Sequence, residues 1–123
     1  MSPVATAVAV GLAFVLILLS GIWVSSSGRP LNVGISTVHK LISLAAGIYL
    51  LVTVYRQSKL SPLGPTEWIA VVVTGLCFLV MVASGGFLSS DTPRPVALLR
   101  VHQIVPALTV LSTGATLYLL LAA

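Results

Sequence analysis

Residues 11–26 read GLAFVLILLSGIWVSS, and residues 75–90 read GLCFLVMVASGGFLSS. The second stretch begins 64 positions after the first (11 to 75). The pairs that are identical between the two stretches are Gly11/Gly75, Leu12/Leu76, Phe14/Phe78, Ser20/Ser84, Gly21/Gly85, Ser25/Ser89 and Ser26/Ser90. The chain is therefore predicted to be an internal duplication of an apolar, helix-forming unit.

A Val-His pair follows each copy, as Val38-His39 in the first half and Val101-His102 in the second. This pair is offset by 63 positions (39 to 102), and the chain has 2 histidines in all. Each half thus carries one histidine at a related position.

The composition predicts an all-α membrane protein. The chain is 58% hydrophobic and only 7% charged, with a mean hydropathy of +1.15, which is far too apolar for a soluble monomer. Its four long apolar stretches are each sufficient to cross a bilayer core of roughly 30 Å as a helix. The predicted spans are Val4–Val24, Ile35–Tyr55, Trp68–Leu88 and Ala97–Leu121.

The expected architecture is one transmembrane domain over residues 1–123, an antiparallel bundle of four helices made of two duplicated hairpins. Repeat 1 covers about residues 4–56, repeat 2 about residues 67–122, and residues 57–66 form the linker. An even number of spans places both termini on the same side of the membrane. The +4 net charge is ordinary for such a protein and does not suggest nucleic acid.

Both histidines are predicted to face the bundle interior. The helical stripes that contain them carry small and hydroxyl residues, which gather where helices meet in membranes. Ser20 with Gly21, and Ser84 with Gly85, approach the same depth from the preceding helices. Glycine there allows a flat ligand to lie against the backbone, and serine can hydrogen-bond an imidazole nitrogen.

Two such histidines suit a haem iron. Neighbouring helices lie roughly 8–10 Å apart, so the diagonal of a square bundle is about 11–14 Å. If the helices follow sequence order around the bundle, the second and fourth form that diagonal. His39 and His102 would then be the axial ligands of one iron, and Lys40 and Arg100 would suit its two propionates.

The basic residues leave the membrane orientation open. Arg29, Lys40, Arg94 and Arg100 lie on the histidine side and Arg56 and Lys59 on the other, which favours a cytoplasmic histidine side. Without Lys40 and Arg100, the two sides are balanced.

With His39 and His102 as ligands and Gly21 and Gly85 facing the haem, the chain resembles prokaryotic four-helix integral-membrane cytochromes b. Members of that family commonly carry more histidines and bind two haems, whereas this chain has ligands for one. The resemblance implies a single haem b and electron transfer with quinol, a partner redox subunit or a small oxidant. It also implies a bacterial or archaeal cytoplasmic membrane, and it is compatible with a haem-dependent oxidoreductase and with a homo-oligomer.

Two other classes of function remain open from the sequence. One is a cofactor-free anchor or assembly subunit, in which the histidines are hydrogen-bonded packing residues. The other is a small transporter, which is weakened because no acidic residue lies inside a span: Glu67 begins a helix and Asp91 lies in a loop. A plain divalent-metal site is disfavoured because two imidazoles supply too few ligands.

Overall fold

The computed structural model describes residues 2–28, 32–89 and 96–122, and these residues form four α-helices and no strand. Helix accounts for 91% of the structure, so the all-α prediction is confirmed. The helices are α1 (Pro3–Ser26), α2 (Val33–Leu60), α3 (Pro65–Leu88) and α4 (Val96–Leu121).

All four helices are long and apolar enough to cross a membrane. The shortest contain 24 residues, which corresponds to about 36 Å at a rise of 1.5 Å per residue and exceeds a hydrocarbon core of roughly 30 Å. Each of the four predicted spans lies inside one of the helices. The chain therefore has the helices of a multi-pass integral membrane protein.

Local chemistry explains where α1 begins and ends. The Ser2 hydroxyl accepts a hydrogen bond from the Ala5 amide at 3.1 Å, and Pro3 occupies the first turn, where its missing N–H costs nothing. After the helix, Gly28 has a φ of +76°, a left-handed conformation that glycine adopts without steric cost. These residues set the bounds of the first span.

Helix α2 continues beyond the predicted span, as far as Leu60. The polar residues 56–59, Arg-Gln-Ser-Lys, include good helix formers, and the Ser61 amide still donates to the Gln57 carbonyl at 3.0 Å. Pro62 then disfavours helical conformation in the residue before it. The non-helical connection to α3 is accordingly only residues 61–64.

The contacts divide the chain into two compact units, Met1–Tyr55 and Arg56–Ala123. In the first unit, Ser20 near the end of α1 contacts His39 near the start of α2. In the second, Ser84 contacts His102, and Thr74 forms a hydrogen bond with Thr116 farther along the same helix pair. Each unit is therefore an antiparallel helical hairpin.

The buried side chains are mostly small or hydroxyl-bearing, while large apolar side chains face outward. Leu12, Ile69 and Leu111 are between 60% and 71% exposed. A water-soluble protein would bury these groups, but lipid surrounds them without penalty and leaves small residues to mediate helix contact. The buried hydroxyl residues are Thr6, Ser20, Thr74, Ser84, Thr109, Thr113 and Thr116.

Candidate functional site

The two histidines occupy equivalent places in their units. His39 is the seventh residue of α2, and His102 is the seventh residue of α4. At 1.5 Å per residue each lies about 9 Å into its helix. Both side chains are half-buried, so each ring is sheltered on one side by its own unit.

In the first unit, the His39 ring is held by α1. The Ser20 hydroxyl lies 2.9 Å from Nδ1 of His39 and 2.9 Å from the Ile17 carbonyl oxygen. Ser20 itself is buried, with 7% of its surface exposed. The hydroxyl therefore ties the imidazole to the backbone of the preceding helix.

The second unit repeats this arrangement with different neighbours. The Ser84 hydroxyl lies 2.7 Å from Nδ1 of His102 and 3.2 Å from the Met81 carbonyl oxygen. Ser84 is 3% exposed. Because the same ring nitrogen meets the same residue type in both units, the duplication preserves an atomic contact.

Each ring lies against a glycine that follows the serine. A Cβ atom added to Gly21 would stand 3.0 Å from Cε1 of His39, and one added to Gly85 would stand 3.0 Å from Cε1 of His102. Such a distance is tighter than ordinary van der Waals contact. Each glycine thus lies beside an imidazole ring, and the expectation that Gly21 and Gly85 face the haem stays a prediction.

Together, serine and glycine form what we call a histidine clamp: Ser20, Gly21 and His39 in the first unit, and Ser84, Gly85 and His102 in the second. In each clamp the serine contacts Nδ1, and the glycine lies beside Cε1 of the ring. Immobilised imidazoles of this kind fit a haem, whose iron takes histidine ligands and whose porphyrin provides the remaining donors.

Backbone contacts distinguish the two clamps. In the first unit, the Ser43 hydroxyl donates to the carbonyl of His39 at 2.7 Å. The duplication aligns Ser43 with Pro106, which lies inside α4 and has no N–H to donate to the His102 carbonyl. Helices α2 and α4 therefore differ one turn beyond their histidines.

The two basic residues assigned to propionates are less symmetric than the clamps. Lys40 follows His39, whereas Arg100 precedes His102, and both side chains are exposed. The 63-residue offset (39 to 102) aligns Lys40 with Gln103 and Arg100 with Thr37. Neither cation is thus part of the duplicated pattern.

Sequence reasoning missed the carbonyls of Ile17 and Met81, because backbone acceptors leave no residue-type signal. Within residues 2–28, 32–89 and 96–122 no group of three or more His, Cys, Asp or Glu side chains could hold a metal ion.

No protein-family model, curated protein or solved structure matches the chain. The functional assignment consequently rests on the geometry of the two clamps.

Proposed function

We propose that the chain is a membrane haem protein that binds one b-type haem through His39 and His102 and takes part in electron transfer. The observation that supports this most is the duplicated clamp, with hydroxyl-to-Nδ1 distances of 2.9 and 2.7 Å. Ionisable residues at membrane depth are costly and usually functional. Two such residues, each oriented by a dedicated serine, fit ligation better than packing.

The donor inventory favours haem over a bare metal ion. The whole sequence contains 2 histidines, 1 cysteine and 2 acidic residues, and a structural zinc site takes four protein ligands. A porphyrin brings four nitrogen donors of its own, so the protein supplies only the axial ligands. Bound haem would provide one-electron chemistry, while the clamps hold and orient the two imidazoles.

Lys40 and Arg100 would lie close in sequence to the ligands and suit the two propionates. Electrons would be exchanged with a quinone, a partner redox subunit or a small oxidant. The proposed setting is the cytoplasmic membrane of a bacterium or archaeon, with both termini on the same side, and a homo-oligomer is compatible with it.

The ligation is tested by replacing each histidine with alanine in the full chain, purified in detergent from cells supplied with haem precursor. We expect wild type to show a low-spin Soret spectrum, and His39→Ala and His102→Ala each to become high-spin or lose the haem. The matched controls are Thr37→Ala and Gln103→Ala, which change exposed residues at similar depth on the same helices.

A wild-type chain without Soret absorbance would overturn the haem function and support a cofactor-free anchor or assembly subunit. Unchanged spectra in both histidine variants would show that the iron is held by other residues. The control variants separate loss of ligation from loss of folding, because they alter the same helices without touching the rings.

A further inference from the structure

We infer that Ser20 and Ser84 are positioning residues that fix the tautomer of His39 and His102, so that Nε2 of each ring carries the lone pair offered to iron. The role of Nε2 as an iron ligand rests on the proposed haem function. The tautomer itself is a property of the haem-free chain and can be measured there. It assigns each serine a defined chemical task.

The tautomer follows from counting protons at Ser20. A serine hydroxyl has one proton and two acceptor lone pairs. A carbonyl oxygen can only accept, so the 2.9 Å contact with Ile17 uses that proton. The 2.9 Å contact with His39 is attractive only if Nδ1 is protonated and donates to the hydroxyl.

The position of the lone pair on His39 follows from this contact. In a neutral ring with its proton on Nδ1, the lone pair is on Nε2.

Ser84 supports the same assignment in the second unit. Its hydroxyl lies 3.2 Å from the Met81 carbonyl and 2.7 Å from Nδ1 of His102. The longer contact is the weaker of the two, but the carbonyl again can only accept. Donation from Nδ1 is therefore the arrangement that makes both contacts favourable.

This arrangement prepares the ligand before haem arrives. The neutral hydroxyl accepts the Nδ1 proton without placing a carboxylate in the bilayer, where a charge is expensive. A hydrogen bond from the non-ligating nitrogen also raises the basicity of the ligating nitrogen. Loss of the serine should then weaken electron donation to iron and raise the reduction potential.

The closing experiment uses the full chain labelled with ¹⁵N-histidine, first without haem. Nitrogen chemical shifts distinguish a protonated ring nitrogen from one with a lone pair. We expect both wild-type histidines to be protonated at Nδ1 at neutral to alkaline pH. Ser20→Ala should shift His39 toward a mixture of tautomers and leave His102 unchanged, and Ser84→Ala should do the reverse.

Ser43→Ala is the matched control, because the Ser43 hydroxyl bonds the His39 backbone carbonyl at 2.7 Å rather than the ring. Ser20→Thr and Ser84→Thr keep a hydroxyl and should restore the wild-type tautomer. After haem loading, the midpoint potential should rise in the two alanine variants and return toward the wild-type value in the threonine variants.

Two results separate this inference from the proposed function. Unchanged ring shifts in folded Ser20→Ala and Ser84→Ala would overturn the inference, whether or not haem binds. Fixed tautomers that depend on serine, in a chain that takes up no haem, would overturn the haem function and retain the positioning role. An altered tautomer with an unaltered midpoint potential would overturn the claim that the serines lower the reduction potential of the iron.

Discussion

The two units hold their histidines in the same way but differ farther along each hairpin. In the first unit, a groove of about 280 Å³ opens between α1 and α2, lined by Ala9, Val10, Ala13, Leu16, Ile42, Ala45, Ala46 and Tyr49. In the second, Thr74 and Thr116 meet hydroxyl to hydroxyl at 2.9 Å across α3 and α4.

The sequence explains this divergence. The offsets of 64 and 63 residues align Ala13 with Cys77 and Ala46 with Thr109, so the first unit has the smaller side chain at both positions. The region away from the histidine therefore tolerates either a groove or packed hydroxyls. In both units, by contrast, the clamp has a serine at Nδ1 and a glycine beside Cε1 of the ring.

The largest effect on the shared clamp should come from filling its glycines. In Gly21→Ala and Gly85→Ala, the new methyl group would lie 3.0 Å from the imidazole Cε1, so the ring must shift by a few tenths of an ångström. We expect each change to reduce haem retention severalfold. The rate at which haem transfers to a competing apoprotein measures this retention.

Gly11→Ala and Gly75→Ala provide controls from the same duplicated helices. A Cβ at either position has nothing within 4 Å, and alanine is favoured over glycine in a helix by about 0.5–1 kcal/mol. These variants should retain haem like wild type. Equal haem loss in all four variants would contradict a specific role for the clamp glycines.

A smaller effect should distinguish the two units outside their clamps. Thr116→Val removes the partner of Thr74, and hydrogen bonds between membrane helices average about 0.6 kcal/mol. The aligned change Thr53→Val removes a bond to the Tyr49 carbonyl within its own helix. The free energy of unfolding in detergent should therefore fall more for Thr116→Val than for Thr53→Val.

Thr113→Val should change stability in the opposite direction. The Thr113 hydroxyl is buried and has no hydrogen-bond partner among the described residues, and an unsatisfied buried polar group costs about 1–3 kcal/mol. Valine keeps the shape and removes that group. A loss of stability equal to that of Thr116→Val would contradict the assignment of the Thr113 hydroxyl as an unsatisfied buried group.

Much of the fold could be predicted from sequence because hydropathy and duplication are properties of residue types. The four spans, the places of His39 and His102 near the starts of α2 and α4, and the approach of Ser20 and Ser84 follow from them. The continuation of α2 to Leu60 did not, because the polar residues after Tyr55 suggested a linker although they favour helix. The imidazole lying on each glycine also required side-chain coordinates.

The central claim is that two equivalent clamps serve one haem, and the amount of haem b per chain tests it most directly. We would measure haem as the pyridine haemochrome and protein by amino-acid analysis, in fully loaded, monodisperse preparations of the whole chain. The prediction is one haem per chain, lost in the His39→Ala/His102→Ala double variant. Two haems per chain, or one that persists in the double variant, would contradict it.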